Sequence, residues 1–260
     1  MANDPTKLVA TTYFSMIAPG FDAISLNEAI FVTEKLVESK ALNILEVGCA
    51  TGFSTVLITK FSHEYLNDSS SIHSIDLLSH YYGMPNKKVG FLCDEHLSEE
   101  EKELLSIHHP HTSFDIPNII PNTKFEFVFI DGSHEHPWAT LDMIAILPHL
   151  SPEAIVVHHD LNLYKRKRCM YQLGPKYIFD QFDNSEKETI DELDPNIFSL
   201  HLKENYTHYA QQLINSLSIP WSMQSRPPAK IMFQIGHYIQ KYWSDTELYH
   251  WYCFSMERYY

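Results

Sequence analysis

A short apolar run, a glycine turn and a helical pattern follow one another without a break between residues 43 and 61. Residues 44–47 (Ile-Leu-Glu-Val) predict a buried strand, and a tight turn from Gly48 to Gly52 follows directly. Apolar residues then recur at helical spacing through residues 53–61. A strand, a glycine turn and a helix in this order predict a binding site for a nucleotide-like ligand. The glycines let the backbone approach a ligand closely, and the helix N-terminus offers unpaired N–H groups.

The spacing of the turn restricts the kind of ligand. It matches neither the G-x-G-x-x-G of dinucleotide binders nor the G-x-x-x-x-G-K-[ST] of phosphate-binding loops, and it contains no lysine for phosphates. The carboxylate of Glu46 stands just before the turn. An acid at this place favours a cationic or hydroxyl-rich ligand over a polyphosphate.

Three further predicted strands each end in an acid. Asp76 follows the strand at residues 71–75 and comes 24 residues after Gly52, the position of an acid that binds ribose hydroxyls. Asp131 follows the apolar run at residues 125–130, and Asp160 follows residues 154–159. Open α/β sheets bind ligands outside the carboxyl ends of their strands. We therefore expect the glycine turn and the three acids at one edge of the sheet.

At this point the chain resembles a known family. Glu46-Val-Gly48-Cys-Ala50-Thr-Gly52 is similar to the first motif of class I S-adenosylmethionine-dependent methyltransferases. The resemblance implies S-adenosyl-L-methionine as the cofactor. It implies the following cofactor-binding residues: Glu46, Gly48, Ala50, Gly52, Ser54, Asp76, Ser113 and Asp131.

Within that class the chain resembles small-molecule O-methyltransferases of the catechol and the antibiotic- and sugar-tailoring types. The segments that carry this resemblance are Ile130-Asp-Gly-Ser-His134, Leu147-Pro-His-Leu150 and His159-Asp160. It covers residues 20–165 well and implies methyl transfer to a hydroxyl, assisted by a divalent metal such as Mg²⁺ or Mn²⁺.

The same resemblance implies the catalytic residues and the metal ligands. Asp131 and Asp160 are the expected catalytic acids and metal ligands, and His134 is the expected general base, where the catechol type has a lysine. The third metal ligand departs from the family, because neither the Asn after the second acid nor the acid before it is present. Leu161 and His159 occupy those two positions, and His159 or Asn162 is the expected substitute.

The predicted fold is an α/β, Rossmann-like, doubly wound, mostly parallel seven-stranded sheet with helices on both faces. Residues 1–203 form the expected methyltransferase domain, in which residues 1–42 are a helical lid with Ser25 as a candidate cap. Residues 79–112 are an irregular excursion with a capped helix start at Ser98, followed by a third strand at residues 106–111. Residues 204–260 form a helical extension whose many aromatic side chains pack on the body, form a dimer interface or line a substrate pocket.

Composition limits the partners and the compartment. A net charge of −14 argues against nucleic acid as the main partner. Residues 165–168 (Lys-Arg-Lys-Arg) form one basic cluster, which is either a solvated loop or a binding site for an acidic group of the substrate. No stretch predicts a membrane span or a signal peptide, and the four cysteines show no C-x-x-C spacing. We therefore expect a cytoplasmic enzyme with reduced thiols that acts on a small-molecule acceptor and has no membrane partner. Homo-oligomers that form through the aromatic extension are the alternative to packing of that extension on the body.

Two alternatives differ from metal-assisted O-methyl transfer. One is a metal-free methyltransferase, directed at oxygen, nitrogen or carbon, in which His134 or His159 serves as the base. The other is a non-catalytic relative that binds the cofactor. Whether S-adenosylhomocysteine raises the melting temperature separates the non-catalytic relative from the two enzymes, and turnover with and without a chelator separates the enzymes from each other.

Overall fold

Seven strands form one twisted sheet between two layers of helices. The computed structural model describes residues 5–17, 24–66, 69–203, 205–223, 229–243, 249–250 and 252–254. The strands are, in chain order, β1 (Asn43–Val47), β2 (Ser71–Ile75), β3 (Leu105–His108), β4 (Phe125–Ile130), β5 (Leu150–His159), β6 (Lys187–Thr189) and β7 (Ile197–His201).

The strand order across the sheet is β3-β2-β1-β4-β5-β7-β6. β1 to β5 run parallel to one another, and β7 runs antiparallel between β5 and β6. The order reverses at β1, which pairs with both β2 and β4, so the loops after β1 and β4 diverge around a crevice at the carboxyl edge. The predicted mostly parallel, Rossmann-like sheet of seven strands is confirmed.

The described helices surround this sheet. They are α1 (Pro5–Ile17), α2 (Leu26–Ser39), α3 (Phe53–Phe61), α4 (Phe91–His96), α5 (Glu99–Glu103), α6 (Ile116–Ile119), α7 (Trp138–Ile146), α8 (Gly174–Gln181), α9 (Tyr206–Ser216) and α10 (Ala229–Tyr242). None of the described helices is long and apolar enough to cross a membrane.

Two hydrophobic cores lie on opposite faces of the sheet, because successive strand residues point to opposite sides. Phe127 and Phe129 of β4 pack into one core with α2 and α3, whereas Val128 and Ile130 pack into the other with α7, α9 and α10. Burial on both faces explains why the central strands are continuous apolar runs without alternation. The site is therefore held on a rigid support.

Several boundaries differ from the sequence predictions. The third strand covers Leu105–His108 and not residues 106–111, because Pro110 has no N–H to donate to a ladder. The excursion at residues 79–112 is more regular than expected, since it contains α4 and α5 as well as β3. The edge strand β6 was not predicted, because its sequence, Lys-Glu-Thr, has no apolar pattern. The predicted caps are confirmed: Ser25 and Ser98 each complete a capping box.

The described part of the C-terminal extension packs on the body. Tyr209 of α9 and Tyr238 of α10 belong to the same core as β4 and α7, and Trp243 and Tyr252 are buried there as well. Tyr238 donates a hydrogen bond to the carbonyl of Ala145 at 2.6 Å. Packing therefore accounts for these aromatic residues, while Trp251, Tyr259 and Tyr260 lie outside the described residues. The domain boundary at residue 203 stays a prediction.

Candidate functional site

The two glycines of the turn after β1 are required by packing. Gly48 has a φ of +100°, and a Cβ on it would lie 2.3 Å from the carbonyl oxygen of Asp131. Gly52 has a φ of +89°, and its Cβ would meet the sulfur of Cys93 at 2.9 Å. The backbone at the end of β4 therefore fills the space beside Gly48. The turn is thus held tightly between its neighbours before any ligand binds.

Glu46 is fully buried beneath the turn. Its carboxylate accepts hydrogen bonds from the hydroxyls of Ser54 at 2.6 Å, Thr55 at 2.5 Å and Ser74 at 2.5 Å. Burial raises the pKa of Glu46 to about 7, although the three hydroxyls lower it. Glu46 therefore joins β1, β2 and α3 below the turn. Ser54, another expected cofactor residue, contributes its hydroxyl to this network.

Asp76, at the end of β2, holds the turn from the other side. Its Oδ2 accepts hydrogen bonds from the backbone N–H groups of Cys49 at 3.1 Å and Ala50 at 2.9 Å, and its Oδ1 accepts one from Leu78. Leu77 and Leu78 directly after it are exposed apolar side chains. The predicted proximity of this acid and the glycine turn is confirmed.

The excursion after β2 also lies against the glycine turn. The N–H of Gly90 donates to the carbonyl of Ala50 at 3.0 Å, and the N–H of Leu92 donates to that of Thr51 at 3.0 Å. α4 therefore begins on the turn itself, and the segment forms part of the wall of the site.

Asp131, His134 and Asp160 meet at the ends of β4 and β5. Nε2 of His134 lies 3.1 Å from Oδ1 of Asp131 and 3.2 Å from Oδ2 of Asp160. Asp160 has a φ of 61°, in the left-handed region that Asp tolerates better than most residues. Asn196 of the segment before β7 donates to its Oδ1 at 2.8 Å. One ligand atom from each of the three residues lies within 4.8 Å of the others, which is the spacing of a candidate cation site.

His159 lies beside this cluster but is engaged differently. Nδ1 of His159 is 3.2 Å from Oδ1 of Asp131, and Nε2 is 3.3 Å from Oε1 of Glu28 in α2. Glu28 also closes the capping box of α2, since its Oε2 accepts the N–H of Ser25 at 2.5 Å. The lid helix is thereby connected to the end of β5. Both ring nitrogens of His159 face carboxylates, so this ring is placed as a cation between two acids.

The carboxylates and imidazoles of this cluster shift one another's pKa values. Burial alone would raise the pKa of Asp131, but His159 and His134 hold it below its usual range. Burial alone would lower the pKa of His159, but Asp131 and Glu28 hold it well above its usual value. The pKa of His134 is also raised, because Asp131 and Asp160 outweigh burial. Burial alone would raise the pKa of Glu28, but His159 outweighs this effect and lowers the pKa to about 2.

Ser113, one of the expected cofactor residues, is bound to an acid of α7. Its buried hydroxyl donates to Oδ1 of Asp142 in α7 at 2.6 Å. Burial raises the pKa of Asp142 to about 6, although Ser113 lowers it. The other oxygen of Asp142 is close to Gly132, since a Cβ on that glycine would lie 3.6 Å away from it. Asp142 thus brings a further acid to the site.

Sequence reasoning did not identify Glu28 and Asp142. Asp142 had a visible signal, because it is the acid in the otherwise apolar helix Trp-Ala-Thr-Leu-Asp-Met-Ile-Ala-Ile. Glu28 had none, since an acid three residues after a serine cap is fully explained by the capping box.

Comparison with known proteins identifies the domain that carries this site. Residues 45–161 match the model of a family described as a methyltransferase domain. These residues run from β1 to the end of β5 and contain the glycine turn and the four acids of the strand ends. A search among curated proteins finds no sequence match to the chain.

Solved structures show the same fold at low sequence identity. An O-methyltransferase of Klebsiella pneumoniae, described as putative, has 13% identity and a TM-score of 0.53, with 78% of this chain and 92% of that chain covered. TomG of Streptomyces achromogenes, an O-methyltransferase of tomaymycin synthesis in complex with S-adenosylmethionine, has 15% identity and a TM-score of 0.52 over 76% and 90%. A Bacillus cereus O-methyltransferase in complex with S-adenosylhomocysteine has 13% identity and a TM-score of 0.52 over 78% and 93%.

Residues 45–161 therefore match a methyltransferase domain, and the chain has the fold of these solved O-methyltransferases. The resemblance to class I methyltransferases that the motifs predicted is confirmed.

Proposed function

From this methyltransferase domain, we propose that the chain transfers the methyl group of S-adenosylmethionine to a hydroxyl of a small molecule, with a divalent cation held by Asp131, His134 and Asp160. The observation that carries the proposal is the meeting of these three side chains at the carboxyl edge beside the glycine turn. A hydroxyl is a poor nucleophile at neutral pH, and two carboxylates with an imidazole are the groups suited to activating it.

The residues around the turn fit S-adenosylmethionine. Asp76 already binds two N–H groups of the turn and, as a carboxylate, has lone pairs left for ribose hydroxyls. The exposed Leu77 and Leu78 offer an apolar surface beside it for a purine ring. Asp142, whose pKa is raised by burial and whose Oδ2 lies beside Gly132, is the proposed partner of the polar edge of that ring.

The donor set also fits a cation. The separations of 3.1 and 3.2 Å around Nε2 of His134 compare with about 3 Å between adjacent ligands on a cation with 2.1 Å bonds. An imidazole among oxygen ligands favours Mn²⁺, Fe²⁺ or Zn²⁺ more than Mg²⁺. Bound there, the cation supplies a lower pKa for the acceptor hydroxyl. His134 therefore replaces His159 as the proposed third ligand, because both nitrogens of His159 face Asp131 and Glu28.

The residues of the chain have separate roles in this proposal. Asp131 and Asp160 orient the acceptor hydroxyl, and the positive charge of His159 compensates one of these carboxylates, so three acids can be buried together. α2 covers the site through Glu28 and keeps water from the reacting groups. The glycine turn and Asp76 place the methyl donor in line with the acceptor.

One observation favours a second candidate, a metal-free methyltransferase. Nε2 of His134 lies between two carboxylates that raise its pKa, the arrangement of a general base that is held by acids. In that case Asp131 and Asp160 hold the proton on Nε2 and orient the ring, and Nδ1 of His134 accepts the proton of the acceptor hydroxyl.

Calorimetry and turnover test the two candidates. S-adenosylhomocysteine should bind the wild type, and transfer from labelled S-adenosylmethionine to a panel of hydroxylated acceptors should stop in excess chelator and return with Mn²⁺ or Mg²⁺. Asp160→Asn should lose turnover, whereas Asp180→Asn on α8, an exposed acid paired with Lys176, should not. Full turnover in chelator would leave the metal-free candidate, and absence of cofactor binding would refute both.

A further inference from the structure

The loop at residues 161–173 begins and ends on the candidate site. It leaves Asp160 at the end of β5 and returns where the N–H of Gly174 donates to the carbonyl of His134 at 2.8 Å. A Cβ on Gly174 would lie 2.8 Å from that carbonyl oxygen, so the backbone contact is tight. Both ends of the loop are thus fixed to residues of the acid and imidazole cluster.

The first half of this loop is built onto the segment before β7. The N–H of Leu161 donates to the carbonyl of Asn196 at 3.0 Å, and the side chain of Asn162 donates to Asp194 at 2.8 Å. Lys165 pairs with the same Asp194. A chain of turn hydrogen bonds then continues through Arg166 to residue 172. The loop therefore has a defined course.

Three consecutive cations stand exposed at the apex of the loop. Arg166, Lys167 and Arg168 have no carboxylate partner within the described residues, whereas Lys165 next to them has one. Many other lysines are paired with acids, as expected in a chain with 33 acids and 19 lysines and arginines. Five of these lysines each pair with one acidic residue: Lys7–Glu34, Lys60–Glu101, Lys87–Glu95, Lys102–Glu99 and Lys176–Asp180.

The arginines of the chain are concentrated in the same loop. Arg166 and Arg168 are the arginines within the described residues, and Arg226 and Arg258 lie outside them. The guanidinium group presents a planar set of donors that matches carboxylate and phosphate. Two guanidinium groups around one lysine thus form a site suited to an anion.

We propose that Arg166, Lys167 and Arg168 bind an anionic group, a phosphate or a carboxylate, on the acceptor molecule. The inference rests on the proposed function, because it places the acceptor hydroxyl at Asp131, His134 and Asp160. Arg166 is six residues from Asp160, so the two Cα atoms are at most about 20 Å apart, and the turns of the loop shorten that span. An acceptor of metabolite size can reach both places.

Charge separation gives the acceptor one orientation. The acids at the strand ends repel an anionic group, and the exposed cations of the apex attract it. An acceptor with a hydroxyl at one end and an anion at the other is therefore steered with its hydroxyl toward the acids. A nucleic acid is disfavoured as the source of the phosphate, because the net charge of −14 repels a polyanion beyond this short cluster.

Two triple variants with the same change of charge test the proposal. The first, Arg166→Gln/Lys167→Gln/Arg168→Gln, removes the apex cations. The second, Lys40→Gln/Lys124→Gln/Lys203→Gln, is the control at the opposite edge of the sheet, because these residues precede β1 and β4 or follow β7. Calorimetry on each protein, saturated with S-adenosylhomocysteine and free of metal, measures the dissociation constants of pyrophosphate and of citrate at 0.15 M salt.

One of the two anions should bind the wild type and the control with equal affinity, and the apex variant should bind it at least 10-fold more weakly. Pyrophosphate binding identifies a phosphate group, and citrate binding identifies a carboxylate. The proposal is overturned if neither anion binds the wild type, if the control loses as much affinity as the apex variant, or if a single-stranded oligonucleotide binds more tightly than both anions. Failure of the proposed function would appear separately, as absence of S-adenosylhomocysteine binding to the wild type.

Discussion

The buried carboxylate of Glu46 makes the stability of the protein depend on pH. Burial raises its pKa from the usual 4.5 to about 7. Between these two values the unfolded chain loses the proton while the folded chain keeps it, so the free energy of unfolding falls as the pH rises. A tenfold change in proton affinity corresponds to about 1.4 kcal/mol, which gives a loss of roughly 3 kcal/mol between pH 4.5 and 7. Above pH 7 this contribution levels off.

Glu46→Gln should remove this dependence, because the amide is neutral at every pH. The stability of the variant relative to the wild type should therefore rise by roughly 3 kcal/mol from pH 5 to pH 8. Urea unfolding of both proteins, followed by circular dichroism at the same pH values, measures that difference, and contributions from other titrating groups cancel in it.

Ser74→Ala is the matched variant with the opposite sign. It removes one of the three hydroxyls that donate to the carboxylate of Glu46, at 2.5 Å. A hydrogen bond to a charged group contributes about 1.5–3 kcal/mol, more than one to a neutral group, so this variant should lose stability relative to the wild type as the pH rises. If the curves of wild type and Glu46→Gln run parallel between pH 5 and 8, burial does not raise the pKa of Glu46 as expected.

Three other changes give distinct outcomes. Asp76→Ala should weaken the binding of S-adenosylhomocysteine by roughly 1.5–3 kcal/mol in calorimetry, because charge-assisted hydrogen bonds are lost, and unchanged affinity would contradict its role. Gly48→Ala should lower the free energy of unfolding by roughly 2–5 kcal/mol, because overpacking costs about 1–3 kcal/mol and a left-handed backbone at a non-glycine residue costs about 1–2 kcal/mol. A variant as stable as the wild type in urea would refute the packing role of Gly48. Glu28→Gln should destabilise the protein more at pH 7 than at pH 3. Because the pKa of Glu28 is lowered from 4.5 to about 2 in the folded protein, its carboxylate stabilises the fold above pH 4.5, and this stabilisation is lost as the pH falls toward 2. Equal effects at both pH values would contradict the ion pair with His159.

Much of the fold could be predicted because local patterns and global topology agree. A parallel strand that is buried on both faces has an apolar sequence, and β4 and the second half of β5 have this form. Each is followed at its carboxyl end by an acid or a glycine turn, so the sequence indicated the functional edge as well. β6 lacks this signal, because an edge strand of three polar residues is defined by pairing with β7 alone.

The roles of individual residues were harder to predict than their positions. Asp131, His134, Asp160 and His159 were all expected at one edge, and the structure brings them together. The direction of each ring is set by contacts that are distant in sequence. Glu28 of α2 faces Nε2 of His159, while Nδ1 of the same ring lies 3.2 Å from Asp131 and 3.6 Å from Asp160. Nε2 of His134 lies closer to Asp160, at 3.2 Å, although its sequence context had indicated a base.

The glycine turn shows why a motif does not by itself identify a ligand site. The backbone at Asp131 leaves no space for a side chain at Gly48, and Cys93 leaves none at Gly52. Both glycines would therefore be needed in a protein of this fold with or without a cofactor. A ligand is indicated instead by polar groups that packing does not require. Asp76 has lone pairs left for a ligand and lies beside exposed leucines. The same edge holds a cluster of three acids and two imidazoles, namely Glu28, Asp131, Asp160, His134 and His159. Burying so many charged groups together costs free energy, and folded proteins keep such clusters mainly where function needs them. This cost is the physical argument for chemistry at the ends of β4 and β5.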